Sequence, residues 1–459
     1  MARTSVFFHA LIGNSVHALP LGPPFPCLAR SGLTGRAGNM GIQPLNGPGA
    51  SPPGAKTDRR KRAEYFTYAA GLLTDSQSEL VSFIIPLYGV MLGFGPLEIG
   101  ILVSAKAILP SIFAIHGGVL MDRFGTRLVL TFMGMACALI PLFFAISAWF
   151  PVLLFLQTVL GMVLSLTWMG AQALVVYVGK DDPAIMGRFA FFARIGVMIA
   201  PLAAGALLDF APPWVSFVVI GLMGIAFWGA VYALPSAELG EANDDRERAP
   251  FRIADILPRL SDYIGAVGLL AIPAVAFVVI VSSVRLSTGT LQSSFYLLYL
   301  ENLGLQATVI GFFVTITQMM AAVGTLLAVH LTRVVHPIWA FLGLVFASVF
   351  LIYSTPIYGD VLLLLAAVIA VRGCAQGASQ PIMYGILSRA VGPEIQATAI
   401  GLRSTGNRVM ALFLPIMMGA IAEIWGLNAT FYVTGGMLLT ILALLGIWIT
   451  VRQPELAKR

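Results

Sequence analysis

The stretch GGVLMDRFGTR, residues 117–127, lies between two apolar runs, yet it places one acid and two arginines within its last six residues. The runs on either side, 98–119 and 128–148, each match the roughly 20 apolar residues that a bilayer-crossing helix needs. Working outward, the same pattern recurs along all 459 residues, which are 58% hydrophobic and only 10% charged. An ordinary soluble protein carries about a quarter charged residues. The chain therefore reads as an all-α polytopic membrane protein. Twelve transmembrane helices are expected, near residues 65–92, 98–119, 128–148, 152–178, 189–209, 215–234, 268–300, 307–331, 337–355, 361–388, 399–422 and 430–450.

The basic residues are sorted by connection. Arg59 to Arg62, Arg123 with Arg127, Lys180 with Arg188, Arg246 to Arg259, Arg333, Arg389 and the terminal Arg452, Lys458 and Arg459 fall in alternate connections, and the other six contain no Lys or Arg. By the positive-inside rule both termini, and the turn around Asp122, are expected in the cytoplasm. The net charge of +6 thus reports topology and does not call for a nucleic-acid partner. The expected address is the plasma membrane, in bacterial terms the inner membrane, with the lipid bilayer as the main partner and a monomer as the working unit.

Residues 1–62 are rich in Pro and Gly and have too little continuous apolar surface to pack, so they read as a disordered cytoplasmic tail. Arg3 precedes VFFHALIG in the manner of a signal peptide, but His9 and Asn14 interrupt the apolar core and no cleavage pattern follows. The remaining divisions are a six-helix bundle over 63–234, a cytoplasmic linker over 235–267, a second bundle over 268–452 and a short tail, 453–459.

The two bundles read as copies. A shift of 211 residues brings Leu87, Tyr88, Leu92, Gly93, Ile99 and Gly100 onto Leu298, Tyr299, Leu303, Gly304, Ile310 and Gly311. A shift of 214 brings Gly187, Arg194, Pro201, Gly205, Phe217 and Gly221 onto Gly401, Arg408, Pro415, Gly419, Phe431 and Gly435, and Asp209 onto Glu423. Copies with an even number of spans share one orientation and are related by an axis along the membrane normal.

At this point a family can be named: the chain resembles the major facilitator superfamily over residues 63–452. The family's signature turn after the second helix, Gly-x-x-x-Asp-Arg-x-Gly-x-Arg, is matched by Gly118, Asp122, Arg123, Gly125 and Arg127. The resemblance implies alternating access about a central cavity. It also implies a cytoplasmic latch, in which Asp122 docks at the positive end of the eleventh helix near Thr398 to Gly401. On the fifth helix, Gly187, Gly196, Ala200, Pro201, Ala204 and Gly205 resemble the family's antiporter motif with alanine for glycine at two places. That leans toward export. One departure counts against the usual proton relay: the fourth helix has Gln157 where many antiporters of the family carry an arginine.

Ionisable residues inside spans cost at least about 2.5–3.5 kcal/mol each on insertion scales, so they mark function. Asp75 and Glu79 are one turn apart on the first helix and share a face. Two carboxylates so close in low dielectric do not both stay ionised easily, which suits one of them to carry a coupling proton. The bases are Lys106, Arg194, Arg285, Arg372 and Arg408, five against two acids. That surplus points to an anionic or zwitterionic solute. Lys106, Arg285 and Arg372, with Gln376 and Gln380, are the expected substrate contacts, and Arg194 and Arg408 are expected to line the cavity or brace helices. Arg285 lies one position from the repeat mate of Asp75, so a bridge between those two is expected.

Other classes find little support. Cys27, Cys137 and Cys374 are scattered, with no CxxC pair, and no HExxH, GKT or GKS motif occurs, so no metal site, cofactor or enzymatic activity is expected. The sequence reading is a secondary transporter of a small organic, anionic or zwitterionic solute, proton-coupled, with a slight lean to efflux. Its alternatives are proton-driven uptake or exchange of an organic anion, and a transporter-like sensor that binds ligand without moving it.

Overall fold

The structure is a computed structural model that describes residues 53–179, 182–234, 267–358, 361–391 and 393–457. Every described element is helical. The first half comprises α1 (Pro53–Met91), α2 (Pro96–Phe124), α3 (Thr126–Ile146), α4 (Phe150–Gly179), α5 (Pro183–Phe210) and α6 (Pro213–Tyr232). The second comprises α7 (Pro273–Gln292), α8 (Phe295–Asn302), α9 (Ala307–Val334), α10 (Pro337–Tyr353), α11 (Leu362–Ala390), α12 (Pro393–Trp425) and α13 (Leu427–Arg452).

Ten of these segments are long and apolar enough to cross a membrane, α7 and α8 counting as one. The other two are α10, with 17 residues, and α1, whose 39 residues include Asp75 and Glu79. Twelve spans result. Helix starts are set by local chemistry: α2, α5, α6, α7 and α10 each open with a proline in the first turn, where its missing N–H costs nothing and its fixed φ suits the helix.

Two expectations need adjusting. α1 begins at Pro53, nine residues before the expected end of the tail at 62, so that stretch is helical. The seventh span is broken at Ser293 and Ser294, with Ser294 at φ −138°, outside the helical region. Residues 1–52 and 235–266 lie outside the described residues.

The repeat seen in sequence is also a repeat in geometry. Gly93 and Gly304, paired by the 211-residue shift, both have φ 77°. Each ends its helix in the same way: Phe94 N–H donates to Gly89 O at 3.0 Å and Leu305 N–H to Leu300 O at 3.3 Å. That is the six-to-one bond of a glycine-terminated helix, a backbone position that disfavours any side chain.

The halves meet through glycines. A Cβ on Gly100 would strike the carbonyl oxygen of Pro415, and a Cβ on its repeat mate Gly311 would strike that of Pro201. Gly205 meets Ala307 and Gly419 meets Pro96 in the same manner. Small residues let backbones approach where lipid supplies no driving force for association. All these contacts lie toward the starts of α2 and α9, so the halves are closed at that end.

Candidate functional site

Between the halves lie two cavities of about 330 Å³ and 380 Å³ that share Ser82, Lys106, Thr290 and Ser293 in their walls. The first is mostly apolar, with Trp168, Leu164 and Ile85, and holds Asp75, Gln157 and Arg408. The second is more polar and holds Glu79, Gln292, Gln318 and Gln376. The break at Ser293 therefore falls in the wall shared by both.

The N-terminal wall is built on α1, in the stretch LLTDSQSELVS. Gln77 donates to the carbonyls of Cys137 at 3.1 Å and Ile220 at 2.9 Å, which fixes the rotation of α1 against α3 and α6. The opposite side of the helix then carries Asp75, Ser78, Glu79 and Ser82 to the cavities. Lys106 of α2 reaches across, its Nζ donating to Ser78 O at 3.1 Å, Ser78 Oγ at 3.0 Å and Ser82 Oγ at 2.7 Å. These three acceptors match the three N–H groups of an ammonium. Gly161 of α4 makes room for this, because any Cβ there would meet the backbone of Lys106.

Asp75 and Glu79 differ from Lys106 in having no such partners. Among the described residues neither carboxylate accepts a hydrogen bond, and the ion pair found is the peripheral Arg60–Glu64 contact at 3.7 Å. The expected bridge from Asp75 to Arg285 is not formed. Arg285 turns instead into its own half, its Nε donating to Ser379 Oγ at 2.9 Å and its Nη2 to Gln380 Oε1 at 3.3 Å.

Arg372 is placed differently from a cavity contact. It is 1% exposed and lines neither of the two central cavities. Its Nη1 donates to Gln292 Oε1 at 2.8 Å, and its Nη2 to Thr288 O and Gln376 Oε1, both at 3.1 Å. It therefore ties α11 to α7 behind the wall, and it orients Gln292 and Gln376, which do line the second cavity.

The repeat-related arginines separate in a regular way. Arg408 of the second half lines the first cavity beside Asp75 of the first half. Arg194 of the first half lines a small third cavity beside Arg285, Gln376 and Gln380 of the second. The five bases thus do not share one chamber with the two acids.

Of the signature turn, Gly125 holds φ 84° between α2 and α3, and Arg127 donates to Tyr232 O at 2.8 Å with its guanidinium 5.8 Å from the centre of that ring. Gly118, Asp122 and Arg123 lie on α2, and the side chains of Asp122 and Arg123 lie outside what the structure describes. In the antiporter-like motif, Gly196 packs on Leu72 and Ser76 of α1. Pro201 and Gly205 form the α9 seam, and a Cβ on Gly187 would meet nothing.

Several contributors were passed over in sequence: Ser78 and Ser82, which hold Lys106; Gln292; and Arg403, 9% exposed, which donates to Tyr384 OH at 3.4 Å and lies over that ring. Ser78 and Ser82 had a legible signal, a run of polar residues at a four-residue spacing inside an apolar span. Gln157 has a further property invisible in sequence, a buried Oε1 with no hydrogen-bond partner.

Comparison with known proteins agrees with this architecture. The chain resembles a solved structure of the nucleoside transporter NupG (12% identity, TM-score 0.67, covering 86% of this chain and 100% of that one). It also resembles a bacterial homologue of the human lysosomal transporter Spinster, inward-facing and unoccupied (15% identity, TM-score 0.64, 87% and 96% covered). A third is a bacterial metal transporter (17% identity, TM-score 0.56, 85% and 99% covered). No match is found among curated proteins. The family model of the Major Facilitator Superfamily matches residues 67–297 and 275–459, one copy to each half. With two six-span halves around a shared cavity, and the family's pattern covering nearly all the described helices, this chain is a transport protein of the major facilitator superfamily.

Proposed function

We propose that this transporter moves a small organic anion or zwitterion by alternating access, with protons as the coupling ion and Asp75 and Glu79 as their carriers. The observation that carries this reading is the pair of cavity carboxylates with no protein partner among the described residues, beside Lys106 and Arg408 in the same chambers. A buried charge is costly unless something pairs with it. Protons or solute supply what the protein does not.

The charges also bear on direction. With both acids ionised, the chambers hold two negative and two positive groups. Each proton taken up by Asp75 or Glu79 leaves Lys106 and Arg408 less balanced and strengthens the hold on an anion. By linkage the anion strengthens the hold on the proton to the same degree. Partners that reinforce one another's binding travel together, so the cavity favours proton-driven uptake over the export that the α5 motif suggests. On the orientation given by the charged connections, the closed end faces outward. The neighbours of similar fold carry nucleosides or metals by their own descriptions, cargoes too unlike to choose a solute here.

The test is transport of a labelled panel of organic anions, zwitterions and neutral analogues into proteoliposomes, with and without an imposed pH gradient. Accumulation of an anion or zwitterion in the direction of proton flow is expected. Accumulation against proton flow would restore export, and transport indifferent to the gradient would remove protons from the mechanism.

A further inference from the structure

The third cavity, about 70 Å³, differs from the other two in having no carboxylate in its wall. It adjoins the second central cavity, with which it shares Gln318 and Gln376. Two arginines face it from opposite halves, Arg194 of α5 and Arg285 of α7. Neither Asp75 nor Glu79 lines this cavity, and among the described residues neither pairs with an arginine.

The internal repeat sharpens the contrast. Arg408 and Arg194 are repeat mates, and each crosses to a chamber of the other half. Arg408 finds Asp75 there. Arg194 finds Arg285, one position from the repeat mate of Asp75. Where the first half supplies a negative charge, the second supplies another positive one.

The amides complete the lining. A guanidinium only donates, so Gln376, bonded to Arg372, and Gln380, bonded to Arg285, must each present the oxygen to the arginine. Their NH2 ends are thereby left as donors. At about 70 Å³, against 330 Å³ and 380 Å³ for the central cavities, the space suits a compact anionic group better than a whole organic solute.

We propose that this annex between α5, α7, α9 and α11 binds a compact monoanionic group, either a free halide or the carboxylate of the transported solute, held between Arg194 and Arg285 with Gln376 and Gln380 as further donors. An anion here bridges the two halves, so its presence favours the arrangement in which Arg194 and Arg285 approach. The role in transport rests on the reading above, but occupancy is measured without any transport.

The experiment uses the purified full chain in detergent, in a sulfate background at constant ionic strength, which adds no halide or carboxylate, titrated separately with chloride and with acetate while thermal stability and heat of binding are followed. A saturable rise in Tm is expected, weakened at least tenfold in Arg194→Gln and in Arg285→Gln and partly kept in Arg194→Lys. Arg194 is exposed and forms no described hydrogen bond, so Arg194→Gln spares the fold and carries the test even if Arg285→Gln, which loses the bonds to Ser379 and Gln380, lowers stability. Saturation by both anions identifies a general monoanion site; saturation by acetate alone identifies a carboxylate subsite; saturation by chloride alone identifies a halide site. Bromide anomalous scattering in crystals locates it. No saturable effect from either anion, an effect unchanged in Arg194→Gln, or bromide bound elsewhere only would overturn the proposal. A chain that binds the anion but moves no solute would spare the annex and remove the transport reading.

Discussion

Asp209, at the end of α5, caps the start of α9 in the other half: its Oδ1 accepts the N–H of Ala307 at 3.0 Å and its Oδ2 that of Thr308 at 2.7 Å. These are orphan N–H groups at the positive end of a helix dipole, where a carboxylate is favoured. Its repeat mate Glu423, at the end of α12, approaches the matching start of α2 less closely, with Leu97 N–H at 3.5 Å. The closed end is therefore pinned more firmly along the α5–α9 seam than along the α12–α2 seam. Nothing in the family signature turn foretold it.

Asp209→Asn should keep one acceptor and lose the charge. A carboxylate at a helix start contributes about 1 kcal/mol, so the population open at this end should rise about fivefold. Glu423→Gln should change it less. Distances between spin labels placed across this end, measured in nanodiscs, check both variants; distributions that match the parent would mean the caps do not govern closure.

The glycine seam gives a second, independent handle. Gly100→Ala and Gly311→Ala should wedge the halves apart, because each new methyl meets a proline carbonyl of the opposite half. Overpacking of this kind costs about 1–3 kcal/mol, and the cost vanishes once the halves separate. Labelling of Thr290→Cys by an impermeant reagent from the closed side should speed up roughly thirtyfold, the factor that corresponds to about 2 kcal/mol, the middle of that range. Gly187→Ala, whose methyl meets nothing, is the control and should leave the rate unchanged.

Much of this architecture was legible because its markers are residues with narrow physical uses. Gly93 and Gly304 mark positive φ, Pro201 and Pro415 mark helix positions without a backbone donor, and Asp209 and Glu423 mark helix ends. Their spacing therefore survived where apolar residues drifted. The break at Ser293 was hidden because serines in an apolar run also occur inside intact spans. The allocation of bases to chambers was hidden for a different reason. A count of five against two treats all charges as sharing one space, whereas the fold sends Arg408 to Asp75, Arg194 to Arg285, and Arg372 behind the wall.

Glu79→Gln and Asp75→Asn should abolish accumulation driven by a pH gradient and spare downhill exchange of the same solute, since each removes a proton site while keeping side-chain volume. The double variant should bind an anion with less dependence on pH than the parent, because Lys106 and Arg408 then act without titrating neighbours on α1. Solute flux and binding measured from pH 5 to pH 8 check this. Driven accumulation that persists in both single variants would place the proton path elsewhere.

Arg372 separates packing from recognition. Its three acceptors, Gln292 Oε1, Thr288 O and Gln376 Oε1, lie on two helices. Arg372→Ala leaves them without that donor at about 1–3 kcal/mol for each group that water does not reach. A fall in thermal stability of several degrees is therefore expected. Arg372→Lys should recover little of it, because a single ammonium lacks the planar fork that reaches both glutamines at once. Solute affinity in the surviving folded fraction should fall for anionic and neutral ligands alike, through the loosened Gln292 and Gln376, whereas Arg194→Gln should discriminate between them. A selective loss of anion affinity in Arg372→Ala at unchanged thermal stability would place that guanidinium in contact with the solute and return it to the binding site.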